Sequence, residues 1–233
     1  MTAPKDPDTR DRIVRAAARL LAEAGGGDVS TRAVCAAAGV GAPTLYHHFG
    51  DKAGLLDAVA AHGFEQYLAS KRAQAPTGDP VDDLRQGWDV HVEFGRAHPE
   101  FYTLMYGTPR RPPIAKEAHA ILLGLVEAVA RAGRLRVPVD TAAGMISAAG
   151  VGVTLLIVSG EGGADLSKRT REAVLAAITV PAGEAGEEAA SASAAQRAVA
   201  LRAALRADPP ARLSGPEAAL LGEWLDRIAA GEP

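Results

Sequence analysis

An all-α fold, with an N-terminal helix-turn-helix module followed by a larger helical region, is predicted by three features of this 233-residue chain. Apolar residues recur at intervals of three and four along most of its length, the spacing of one helix face. The single β-branched run that could make a strand, Val151 to Val158, lies inside a longer Ala/Gly-rich segment with helical spacing. Gly and Pro clusters then divide the chain into pieces of helix length.

The first helix begins near Thr9, where Ile13, Ala16, Ala17, Leu20, Leu21 and Ala24 share a face, and Gly25 to Gly27 stop it. Ser30 is placed to cap a short helix over Thr31 to Ala38, which Gly39 ends; a second short helix covers Ala42 to Phe49, with Pro43 tolerated in its first turn. Asp51 caps a fourth helix from Lys52 to about Ala75 on the apolar positions Leu55, Leu56, Val59, Phe64 and Leu68. Pro76, Gly78 and Pro80 mark a boundary, so residues 9–75 and 80–233 are expected as two domains. Beyond it, helices are predicted over Val81 to Arg96, Pro99 to Tyr106, Ile114 to Leu135, Thr141 to Ser159 with Asp140 as N-cap, and Leu166 to Ile178. Pro181 to Glu188 reads as a flexible link. Helices over Ala189 to Ala207 and Pro216 to Ala230 follow, the latter with a capping box of Ser214 and Glu217.

Composition narrows the function. With 48% apolar and 23% charged residues the chain is neither disordered nor a membrane protein by composition. Its net charge of −3 provides no global attraction for polyanions, so any nucleic-acid contact must be local. One cysteine, Cys35, allows no internal disulfide and no paired-thiolate metal site; a packed thiol in a reducing, cytoplasmic setting is expected. The start of the chain lacks the apolar core of a signal peptide. Met145 to Val158 reads as too short and too rich in small residues to span a bilayer, so no membrane partner is expected. His47 and His48 diverge by about 100° on a helix and cannot chelate one ion together. No metal, cofactor, phosphate loop or nucleophile with its base is apparent, which argues against an enzyme.

The segment Ser30 to Lys52 reads S-T-R-A-V-C-A-A-A-G-V-G-A-P-T-L-Y-H-H-F-G-D-K. A helix-turn-helix needs an apolar first helix to brace a second whose N-terminal side chains reach base edges, with a Gly turn between them. Here Val34, Ala38, Val40, Leu45 and Phe49 form the inner face. Thr31, Arg32, Gly41, Ala42, Thr44, Tyr46, His47 and His48 point outward. Hydroxyls suit phosphate oxygens, a guanidinium suits both acceptors of guanine, and small residues permit close approach to the groove. Between Thr9 and Lys52, six basic side chains (Arg10, Arg12, Arg15, Arg19, Arg32, Lys52) face four acidic ones, a modest surplus. Arg10 and Arg12 are placed to touch the DNA backbone.

The run G-V-G-A-P-T-L-Y-H-H-F-G-D-K-A-G-L-L resembles the signature of the TetR family of bacterial transcriptional repressors, over about Thr9 to Leu68. The resemblance implies that Thr31, Thr44, Tyr46, His47 and Lys52 hold phosphates. It places Arg32, Ala42, Pro43 and His48 where base edges or the thymine methyl are met. Many relatives have a polar residue where this chain has Gly41 and Ala42, so direct readout is expected to be sparse and DNA shape to matter more.

In the second region Trp88, Phe94, Phe101, Tyr102 and Tyr106 put half of the ten aromatics within nineteen residues. With His91, Met105 and Met145 they suggest an apolar effector cavity with a few polar handles, Trp88, His91, Phe94, Tyr102, Met105, Tyr106 and Met145 being its expected lining. The H-P-E-F-Y-T-L-M-Y-G run is similar to one that borders the ligand cavity in the resembled family. Gly144, Ala148 and Gly152 form a four-residue ladder that lets two helices approach closely, and the family pattern pairs it with the following helix. Gly144, Ala148, Gly152, Leu156, Val174 and Ile178 are the expected dimer contacts. The expectation is therefore a homodimeric, ligand-responsive repressor that binds a palindromic DNA operator and is released by a small apolar or aromatic molecule. A helical enzyme or small-molecule carrier that merely contains a helix-turn-helix is the alternative reading.

Overall fold

The computed structural model describes residues 7–24, 29–107, 114–180, 194–209 and 212–230. Within them the chain forms eleven helices and no strand, with one isolated antiparallel bridge between Leu135 and Thr179. In order these are α1 (Pro7–Glu23), α2 (Thr31–Ala38), α3 (Ala42–Phe49), α4 (Lys52–Arg72), α5 (Pro80–Ala97) and α6 (Pro99–Tyr106). There follow α7 (Ala115–Arg131), α8 (Val139–Val158), α9 (Ala164–Ile178), α10 (Ala194–Ala207) and α11 (Gly215–Ala230).

Local caps set the N-terminal boundaries. The Ser30 hydroxyl accepts from the Ala33 N–H at 3.1 Å, and Gly39, at φ 64°, closes α2 in the left-handed conformation that glycine adopts without strain. The Asp51 carboxylate accepts from the Gly54 N–H at 2.7 Å to start α4. Ser30→Ala is expected to cost about 1 kcal/mol, seen as a lower urea midpoint at unchanged slope. An unmoved midpoint would show that the cap contributes nothing.

Elsewhere some boundaries differ from the sequence pattern and others follow it. The seventh helix ends at Arg131 rather than Leu135, because Gly133 turns the chain at φ 69° and Leu135 joins the bridge to Thr179. The backbone N–H groups of Arg136 and Val180 complete that pairing on Ile178 O and Arg134 O, at 2.8 and 2.9 Å. Asp140 lies inside the first turn of α8 instead of capping it, since the Pro138 carbonyl already accepts the first bond from Ala142. There its charge favours the positive end of the helix dipole. In α11 the Glu217 carboxylate accepts from both the N–H and the hydroxyl of Ser214, at 2.8 and 2.6 Å. The Gly25 to Gly27 stop, the Pro181 to Glu188 link and the stretch from Ala189 to the start of α10 lie outside the described residues.

The chain divides into two compact units. The first comprises the residues up to Gln74 with Val90–Ala118 and Thr154–Gly162; the second comprises Ala75–Asp89, His119–Val153 and the residues from Gly163 on. In the first, Ile13, Ala16 and Ala17 of α1, Val34 of α2, Leu45 of α3 and Val59 of α4 belong to one buried cluster. Each long side chain so enclosed contributes about 1.5–3 kcal/mol through loss of apolar surface from water. In the second unit Val126, Val129, Ala142, Ala143 and Ile178 are inaccessible, and the Trp88 indole N–H donates to Ser167 Oγ at 3.0 Å. Its α10 and α11 leave an open groove of about 330 Å³ lined by Ala194, Arg197, Ala198, Leu201, Leu225 and Ile228.

Helix α8 is longer than the apolar stretch read from the sequence. At 20 residues and a mean hydropathy of 1.9 over its most apolar window, it is long and apolar enough to cross a membrane by length and composition. That corrects the argument from shortness. A third of this window is buried within the chain itself, by positions such as Ala142, Ala143 and Ile146.

Candidate functional site

The first candidate surface is built on α2 and α3. Val34 and Leu45 are fully buried, Ala38 is buried, and Val40 and Phe49 are packed partly against the same cluster, so both helices are held by one face. Cys35 is buried among them. The other face carries Arg32, Gly41, Ala42, Pro43, Tyr46 and His47 exposed, with Thr31, Thr44, His48 and Lys52 part-buried. Tyr46 stands out: 45% of this large ring faces solvent although burial would be favourable. Its hydroxyl lies 3.5 Å from Thr31 Oγ1, so the two helices present a phenol and an alcohol side by side. A Cβ at Gly41 would meet only the Pro43 ring, at 3.5 Å, which leaves the start of α3 open to close approach.

Two arginines of α1 make contacts within the protein. Arg12 Nε donates to the Ala38 carbonyl at 3.1 Å, satisfying an orphan acceptor at the end of α2. The Arg10 guanidinium sits 5.7 Å from the centroid of the Phe49 ring at the end of α3. Both contacts brace α1 against the two short helices.

The second candidate site lies where α4, α5 and α6 meet in the same unit. Tyr67 OH and His91 Nδ1 are 2.8 Å apart, and His91 Nε2 and Tyr102 OH are 2.6 Å apart. A neutral imidazole has one N–H and one bare nitrogen, so one phenol donates to it and the other accepts from it. Burial, and then the charge of Lys71, push the His91 pKa down to about 3, which keeps the ring neutral. Burial pushes Lys71 down to about 8, its ammonium lying 5.3 Å from the Tyr67 ring centroid. Burial, followed by the neighbouring Tyr106 and Tyr102, raises the Tyr67 phenol well above its ordinary value. Phe94 packs on Tyr67 at 5.2 Å and Tyr106 on Tyr102 at 4.7 Å between ring centroids.

Of the residues expected to line an effector cavity, His91, Phe94, Tyr102 and Tyr106 come together here, and Met105 is fully buried in the same unit's core. Trp88 and Met145 fall in the second unit, Trp88 bonded to Ser167 and Met145 37% exposed. Tyr67 and Lys71 were not anticipated. They continue the Phe64 and Leu68 face at i+3 and i+7, a signal that was legible, but a lysine at an inward position is easily passed over as surface. Of the expected dimer contacts, Gly144, Ala148, Gly152 and Leu156 are exposed along α8 and Val174 is part-buried. Ile178 is instead wholly enclosed in its own chain, with its carbonyl bonded to Arg136, so it has no surface to offer a partner.

A family model described as bacterial regulatory proteins, tetR family, matches residues 13–59. The chain is 38% identical over 64 residues to the HTH-type transcriptional regulator UidR of Escherichia coli K12, a match covering 28% of this chain and 33% of that protein. The UidR of Shigella flexneri matches equally. The matched stretch thus spans about a third of the length of these curated relatives. Solved structures agree in fold. A putative tetR family transcription regulator from Shewanella sp. PV-4 aligns with a TM-score of 0.58 at 22% identity, over 74% of this chain and 99% of that one. Salmonella enterica GusR aligns at 0.55 and 23%, over 76% and 97%. The fatty acid degradation regulator FadR from Bacillus halodurans aligns at 0.58 and 19%, over 75% and 96%. Residues 13–59, which include the helix-turn-helix on α2 and α3, thus match the tetR family model, and the chain shares its helical architecture with the solved structures.

Proposed function

We propose that this protein is a cytoplasmic, ligand-responsive transcriptional repressor that binds a palindromic DNA operator as a homodimer and is released by a small apolar or aromatic molecule. The observation that carries this reading is the outer face of α2 and α3, where a core-anchored frame holds Tyr46 and Thr31 outward beside the small residues Gly41 and Ala42. Thr31, Thr44, Tyr46, His47 and Lys52 take phosphates. Arg32, Ala42, Pro43 and His48 meet base edges, and Gly41 allows close approach. Residues 9–75 serve as the DNA-binding domain and 80–233 as the ligand-binding and dimerisation domain, with binding rather than turnover as the activity.

Pairing of two copies has a physical basis in α8. One module reads a few base pairs, whereas a two-fold dimer reads two half-sites roughly 34 Å apart. The exposed row Gly144, Met145, Ala148, Gly152 and Leu156 is uncharged, and a Cβ at Gly144 or Gly152 would meet nothing, so a partner helix has room to approach. Val174 supports that contact. The effector acts by binding preferentially a form whose recognition helices no longer match the groove, since a ligand with equal affinity for both forms shifts nothing.

Selection of random duplexes by the full chain tests the reading, with wild type and a Tyr46→Ala, Lys52→Ala double variant compared across a salt series. Wild type is expected to enrich a palindrome. The variant should bind it more weakly by about a hundredfold, with a salt slope smaller by about one per half-site, since only Lys52 of the two carries charge. No enriched sequence, with equal binding by both proteins, would refute a DNA-reading role.

A further inference from the structure

We infer that the cluster of Tyr67, Lys71, His91 and Tyr102 receives an oxyanion, such as a carboxylate or sulfonate, carried on an aromatic or apolar body. This assigns the chemical class of the effector and rests on the effector-released regulator proposed above.

The geometry supplies the elements of such a site within one unit. Tyr67 and Lys71 lie one turn apart on α4, His91 bridges from α5 to both Tyr67 and Tyr102, and Tyr102 comes from α6. Phe94 and Tyr106 add ring faces on either side, a surface suited to an organic body. Lys71 and Tyr106 are part-buried, so the cluster meets solvent on their side. The charge the cluster supplies is positive. Two carboxylates on these elements and on α7 are paired with arginines, Glu93 with Arg96 and Glu117 with Arg72.

Electrostatics then separates an anion from its neutral twin. Burial disfavours the Lys71 cation, and that cation in turn disfavours protonation of His91. An anion placed against them reverses both effects, whereas an uncharged molecule of equal shape reverses neither. The ammonium and the phenolic O–H groups donate to the anion, and the phenol that turns to it gives up its bond to His91. That bond ties α4 to α5. Helix α4 also carries Lys52 at its other end, about 22 Å from Tyr67 along the axis, so a change at Tyr67 reaches the segment that follows the recognition helix.

The test uses anilinonaphthalene sulfonate and its uncharged parent phenylnaphthylamine as fluorescent probes of the full chain. Wild type is expected to bind the sulfonate about tenfold tighter than the parent, and the sulfonate alone to weaken operator binding. Lys71→Gln should abolish the preference, bringing affinity for the sulfonate down to that for the parent. Lys71→Arg, which keeps the charge, should retain it, and Lys71→Met serves in place of the Gln variant if that fails to fold. Absence of the preference in wild type, or its survival in the Gln and Met variants, would overturn the inference. Operator selection is scored on the same samples. A chain that reads an operator without preferring the anion loses this inference alone; one that prefers the anion but reads no operator loses the regulator reading alone.

Discussion

Gly54→Ala is expected to weaken operator binding by at least about tenfold and to destabilise the fold by about 1–3 kcal/mol, the usual cost of forcing a methyl into filled space. A Cβ at Gly54 would fall inside the contact distance of the Phe49 carbonyl oxygen and lie 3.2 Å from its carbon. Phe49 is the last residue of α3, and its backbone cannot swing aside as a flexible side chain could. The corner between α3 and α4 would therefore open, at Gly50 with φ 79° and at the Asp51 cap. A displaced α3 presents Tyr46 and Ala42 at the wrong angle to a groove. Gly124→Ala on α7 is the control, because a Cβ there meets nothing and alanine is the better helix former by roughly 1 kcal/mol. Chemical denaturation and operator anisotropy, run side by side on both variants, report the two effects separately. A Gly54→Ala protein as stable and as tightly bound as wild type would show that this corner does not set the pose of α3.

Acid should destabilise the protein through His91. Its pKa is about 3 in the folded chain against an ordinary 6.5, because burial, and then Lys71, oppose its protonation. Between those two values the unfolded chain holds a proton that the folded chain does not. Stability is therefore greatest above 6.5 and falls as the pH drops through it, by about 1.4 kcal/mol for each pH unit and about 2.7 kcal/mol by pH 4.5. Lys71 adds nothing to this slope, since it is protonated in both states there, its own effect lying between about 8 and 10.5. His91→Gln removes the titrating group and keeps polar atoms for Tyr67 and Tyr102. The difference in stability between the two proteins, measured by denaturant from pH 7.5 to 4.5, should shrink steadily toward acid. A difference independent of pH would mean that His91 takes up its proton in the folded chain as readily as in the unfolded one.

How far the sequence reached depended on the range of the interactions involved. The limits of α2, α3 and α6 and the start of α4 follow from residues within three or four positions of the boundary: Ser30 on Ala33, Gly39 in the left-handed region, Pro43 in the first turn, Asp51 on Gly54. Such caps act through short, local hydrogen bonds, so a chain of letters shows them. The inner face of the helix-turn-helix was legible for the same reason, as a period of three to four brings Val34, Ala38 and Leu45 onto a common side. Where α7 ends was not, because the bridge of Leu135 to Thr179 joins residues 44 positions apart.

The cluster around His91 shows the same division. Its aromatics were visible as a concentration of rings, but which of them meet depends on partners distant in sequence. Tyr67 reaches His91 across 24 positions, and Trp88, grouped with them by proximity in sequence, bonds Ser167 across 79. The sequence by itself determined the all-α class, the helix-turn-helix and the TetR-type motif, since each rests on periodicity and local capping. Only the tertiary structure decided that Lys71 turns inward, that Ile178 is enclosed, and that the Gly144 to Leu156 row of α8 stays open to solvent. Burial is a property of everything that packs around a residue, and no local pattern specifies which of two apolar faces the rest of the chain will cover.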